Sequence, residues 1–96
     1  ESYEAAAVEW QCQMILILKN TLNKYGVNED VAKDICGDFT FDLAMLQDQG
    51  EIKVDGEKLR PVICFDNFND ELKYNSSDDF SLHDYAFGNS NEAFGE

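Results

Sequence analysis

Apolar residues recur at a helical period twice in the first fifty positions and at a strand period once after them. In the first stretch, at about 100° per residue, Val8, Trp10, Met14, Ile15, Leu18, Leu22 and Tyr25 share one broad face. Glu9, Gln13, Asn20, Asn23 and Lys24 gather opposite. Ser2 can cap the start, Gly26 stands where a left-handed residue closes a helix, and Val27 can supply the apolar contact that follows such an end. The spacing predicts a helix over residues 2–25. Leu16 falls on its polar side and is a candidate apolar contact for a partner.

The second helical pattern runs over residues 29–49. Asn28 is its predicted cap, Glu29 and Asp30 occupy the first turn, and Gly50 stops it. Between residues 30 and 45 the sequence sorts into four columns at spacing four. One is Asp30, Asp34, Asp38 and Asp42. The next, Val31, Ile35, Phe39 and Leu43, continues toward Leu46 and is expected to face the core. The third is small: Ala32, Cys36, Thr40 and Ala44, a surface on which another helix can pack closely. The fourth mixes Lys33, Gly37, Phe41 and Met45. A glycine inside a helix costs about 1 kcal/mol relative to alanine, so Gly37 marks a close backbone approach or a break.

Residues 51–65 read as a β-hairpin, because Asp55-Gly56 accepts the positive φ angles of a tight turn. That turn opposes Val54 with Glu57, Ile52 with Leu59 and Glu51 with Arg60, so an apolar pair and an ion pair agree on the register. Pro61 belongs at an edge or a bulge, and Val62 to Phe65 is expected to continue as a buried strand.

Beyond Phe65 the composition changes. Residues 66–96 carry eight acids and one lysine, yet they also hold Phe68, Tyr74, Phe80, Tyr85, Phe87 and Phe94, too many aromatics for a purely solvating segment. Residues 66–87 are expected to fold back irregularly, with 80–87 as a third strand or a short helix capped by Ser77, and 88–96 as a mobile tail. The fold class that follows is α+β: two antiparallel helices packed on a hairpin or a small three-stranded sheet, in one domain over residues 1–87.

Composition narrows the function. The chain has 96 residues, 44% hydrophobic, enough for one modest core. Its longest uninterrupted apolar run, Met14 to Leu18, is far short of the roughly 20 residues of a membrane span. A net charge of −13 argues against direct binding to nucleic acid or an anionic membrane, both of which call for Lys and Arg. Cys12, Cys36 and Cys64 form no close-spaced pair and are odd in number, which fits reduced thiols in a cytoplasmic protein better than a disulfide scaffold. Glu1 in place of an initiating methionine implies a processed or trimmed chain.

Candidate chemistry is sparse. The single histidine, His83, could work with neighbouring carboxylates or a cysteine in a small enzyme or metal-dependent module, but no local signature surrounds it. Zinc would need four Cys or His ligands in close pairs, and the 66–70 segment puts Phe68 where a calcium-binding loop needs an oxygen. No phosphate-cradling glycine loop occurs. The chain is read as non-enzymatic, with no cofactor and no metal.

What remains is the acid. Asp30, Asp34, Asp38 and Asp42 make three like-charge pairs at i,i+4, each a mild local cost, where a face meant only for solubility would alternate Glu with Lys. The expectation is a protein-binding module, of inhibitor or immunity type, that engages a basic partner. Asp30, Asp34, Asp38 and Asp42 are its main contacts and Asp78, Asp79 and Asp84 its secondary ones. The alternatives are a solvated acidic face, the His83 enzyme, and a structural subunit that self-associates into a homo-oligomer.

Overall fold

The computed structural model of the chain describes residues 2–74 and 80–95. The predicted roles of the Ser2 side chain, Ser77, Asp78 and Asp79 lie outside the described residues. The fold is α+β. Helix α1 (Ser2–Lys24) and helix α2 (Glu29–Gln49) form a helical hairpin. Two small antiparallel hairpins follow, β1 (Ile52–Val54) with β2 (Glu57–Leu59), then β3 (Cys64–Asp66) with β4 (Leu72–Tyr74). A 3₁₀ turn (Leu82–Tyr85) then leads into helix α3 (Ala86–Ala93).

Local chemistry sets these boundaries. Gly26 closes α1 at φ +77°, and the Val27 amide donates to the Leu22 carbonyl at 3.0 Å, the six-to-one bond of a left-handed helix end. At the start of α2, Asn28 Oδ1 accepts from the Asp30 amide at 2.9 Å and the Val31 amide at 3.3 Å. Asp55 and Gly56 both take positive φ, 50° and 82°, which is the turn the dipeptide predicts. The register is also the expected one, Ile52 opposite Leu59 and Val54 opposite Glu57. The hairpin ion pair joins Glu51 to Lys58 at 3.8 Å rather than to Arg60.

Three expectations are corrected. The 62–65 segment is not a buried strand: Val62 and Cys64 are exposed, and only Ile63 and Phe65 turn partly inward, because β3 has one neighbour, β4, and alternates. Residues 88–94 are not a free tail. Helix α3 lies on the helical hairpin, with Ser90 buried, Lys19 Nζ donating to the Ala93 carbonyl at 2.8 Å and sitting 4.8 Å from the Phe94 ring centre.

The third correction inverts α2. Its buried residues are Ala32, Cys36, Gly37, Thr40 and Ala44, whereas Val31, Ile35, Phe39 and Leu46 are 49%, 37%, 49% and 42% exposed. The small column packs and the large column is left mostly outside, with only Leu43 half-buried. The reason is distance: α1, the 3₁₀ turn and α3 all approach α2 closely, and only small side chains leave room for that approach. The core is built accordingly from Ala7, Ile15, Ala32, Cys36, Ala44, Leu82 and Ala86, four of them alanine, so backbone proximity stands in for large side chains. Buried Gln11 secures the arrangement, donating through Nε2 to the Leu82 carbonyl at 3.2 Å and accepting from Asn89 Nδ2 at 2.8 Å.

Candidate protein-docking surface

Helix α2 places two rows of side chains in solvent. Asp30, Asp34, Asp38 and Asp42 are all exposed, and Val31, Ile35, Phe39 and Leu46 run beside them. Both rows follow from a helix that turns about 100° per residue: with the small column inward, columns one residue earlier and two earlier turn out. Successive aspartate side chains in such a row rise about 6 Å apart along the axis.

The apolar row belongs to a wider surface. Gly37 faces α3, where it meets Phe87, and Phe39, two residues on, lies about 160° around the helix from it. On α1, Lys19 faces α3, and Ile17, two residues earlier, is likewise about 160° away. Because the two helices run antiparallel, Ile17 and Phe39 emerge on the same side of the hairpin, the side opposite α3. Ile17 is 68% exposed. α3 thus covers one face of the helical hairpin, and on the other, among the described residues, Ile17, Val31, Ile35, Phe39 and Leu46 reach solvent while Trp10 packs against the core.

The remaining predicted positions scatter. Leu16 is exposed on α1. Asp84, on the 3₁₀ turn, is exposed with Oδ1 3.5 Å from His83 Nε2. His83 itself is clasped by Asp48, whose Oδ2 accepts from the His83 amide at 2.9 Å and stands 2.6 Å from ring Nδ1. The Phe41 ring meets the imidazole edge-on at 5.6 Å. Both ring nitrogens therefore face carboxylates, and the imidazole joins the 3₁₀ turn to the end of α2. A cleft of about 290 Å³ opens nearby, lined by Tyr3, Gln47, Asp48, Arg60, Pro61 and Ser81 among others, but His83 does not line it.

The thiols do not assemble either. Burial pushes the Cys12 thiol up, helped by Glu9 and Glu92, and burial also raises Cys36, with Lys19 opposing. Raised thiols are protonated and poor nucleophiles. Burial likewise raises Tyr3, with Asp48 and Cys64 adding to it, and the Tyr3 hydroxyl donates to the Ile63 carbonyl at 2.8 Å. Tyr85 is raised mainly by its hydrogen bond to Glu4. Among the described residues, no three His, Cys, Asp or Glu side chains gather as a group that could hold a metal ion, and no helix is long and apolar enough to cross a membrane.

Comparison with protein-family models, with curated proteins and with solved structures finds no match to this chain.

Sequence reasoning found the exposed aspartates but placed the apolar half of the surface in the core. One signal was present: a column of Ala32, Cys36, Thr40 and Ala44 beside Gly37 marks a face for close packing, and these are the residues of α2 that are buried. The Asp48–His83 pair joins residues 35 positions apart, and nothing local announces it.

Proposed function

We propose that this chain is a non-enzymatic binding module that engages a basic protein partner through the solvent-facing side of α2. The observation that supports this reading is the exposed row Val31, Ile35, Phe39 and Leu46 lying beside the exposed row Asp30, Asp34, Asp38 and Asp42. Apolar area supplies association energy, and an adjoining line of like charge supplies steering and selects a partner of opposite sign. A solvated face has no use for the large apolar side chains. Asp84 is a peripheral contact at most, since it already faces His83. The catalytic alternative gains no support, with His83 held between two carboxylates and outside the cleft.

The test is titration with a lysine-rich peptide at low and high salt. Converting Asp30, Asp34, Asp38 and Asp42 together to Asn is expected to weaken binding far more than neutralising four exposed acids elsewhere, Glu51, Asp55, Glu57 and Glu71. Equal losses from the two sets would reduce the α2 row to generic charge and end the proposal.

A further inference from the structure

We infer that the occupant of the open α1–α2 face is a cationic amphipathic helix of the partner protein, lying along the groove between Ile17 and Phe39 with its basic side chains toward α2. The inference rests on the binding reading above and specifies the element that binds.

Two neighbouring helices leave a groove between them, and an element that fills such a groove along its length is another helix. The molecule already does this on its other side, where α3 seats Phe87 over Gly37 and receives Lys19 at its end. The open side offers Ile17 from α1 and Val31, Ile35, Phe39 and Leu46 from α2, each more than a third exposed. From Val31 to Leu46 the row rises about 22 Å, so the occupant needs about four helical turns.

Charge then sets its sign and orientation. The outer flank on α2 carries Asp34, Asp38 and Asp42, while the outer flank on α1 carries Glu9, Gln13, Asn20 and Lys24, which sum to no charge. A helix whose apolar face fills the groove and whose Lys or Arg residues cluster on the α2 side matches both flanks. A second copy of this chain matches neither, because it brings −13 against −13.

The experiment uses the full chain, whose single tryptophan, Trp10, reports on α1, and a tryptophan-free peptide of about 18 residues. In that peptide Leu recurs at i, i+3, i+4 and i+7, and Lys fills the rest. The controls are the same composition scrambled to destroy the apolar stripe, and the same stripe with Gln replacing Lys. The amphipathic basic peptide is expected to gain helical circular dichroism on binding and to bind about tenfold or more tighter than either control. Phe39→Asp, at a position 49% exposed, is expected to keep the helical circular dichroism of the free chain and to cost about tenfold or more in affinity. If the scrambled basic peptide binds equally well, the helix is overturned while the acidic-face reading stands. If neither basic peptide binds, both fall. Equal binding by the Gln peptide removes the charge selection and overturns the inference. So does a stable dimer in sedimentation that Phe39→Asp dissociates.

Discussion

A Cβ built on Gly37 stands 3.0 Å from both Cδ1 and Cε1 of Phe87, so the ring of one residue occupies the space that a side chain on the other would need. The glycine in the middle of α2 is there to admit α3. Phe87 is held in turn by stacking on Phe41 at 5.4 Å between ring centres. Gly37→Ala is expected to destabilise slightly or leave stability unchanged, because the gain in helix propensity, about 1 kcal/mol, is cancelled by the displaced ring. In a Phe87→Ala background the same substitution should stabilise by about 0.5–1 kcal/mol. Urea unfolding of the parent chain and the three variants measures the coupling; stabilisation of equal size in both backgrounds would show that the ring does not govern the position.

The inversion of α2 predicts an unusual ranking of substitutions. Ile35→Ser and Phe39→Ser, at large apolar positions, are expected to cost less than about 1 kcal/mol, since each side chain is already more than a third exposed. Ala32→Leu and Ala44→Leu, at small positions that are 4% and 1% exposed, should cost about 1–3 kcal/mol by forcing α2 away from its neighbours. Chemical denaturation decides, and a reversed order would restore the large column to the core.

Asp48 carries two bonds to His83, from the amide and from the ring, at an acceptor that is mostly shielded from water. Asp48→Ala is therefore expected to destabilise by about 1.5–3 kcal/mol and to loosen the 3₁₀ turn. His83→Ala should cost less, because the backbone amide still donates. Amide exchange of His83 and Asp84 gives a local readout: protection lost in Asp48→Ala but retained in His83→Ala fits this account, and equal loss in both does not.

Thiol reactivity should follow burial. Cys64 is exposed and is expected to react first with a disulfide reagent, Cys12 more slowly, and the fully buried Cys36 only as fast as the structure opens. Stability should also fall at alkaline pH. Cys12, Cys36 and Tyr3 are raised in the folded chain, mainly by burial, so the unfolded chain releases these protons first. Their contribution is complete below the ordinary thiol and phenol values of about 8.5 and 10 and is lost as pH rises past them toward the higher folded values. A urea midpoint that holds constant from neutral pH to about pH 10.5 would contradict it.

The hairpin at Asp55-Gly56, the glycine end of α1 and the Asn28 cap were legible because each depends on a few consecutive residues whose backbone preferences fix the geometry. The aspartate row was legible too, since a carboxylate column can hardly turn inward. The fate of the apolar row beside it was not. A helical period says that Val31, Ile35 and Phe39 share a face with one another and that Ala32, Cys36, Thr40 and Ala44 share the next. It does not say how closely a neighbour will come.

By itself, then, the sequence determined where helices and turns begin and end and which residues travel together on a face, because those are short-range properties of the chain. Only the tertiary structure decided which face is covered. The C-terminal segment, held to α2 by the Asp48–His83 clasp of the 3₁₀ turn and by Phe87 of α3 over Gly37, joins α1 in covering the small-residue side of α2 and leaves Val31, Ile35 and Phe39 exposed. That choice depends on the distance between segments some fifty residues apart, which the small column beside Gly37 permits but does not fix.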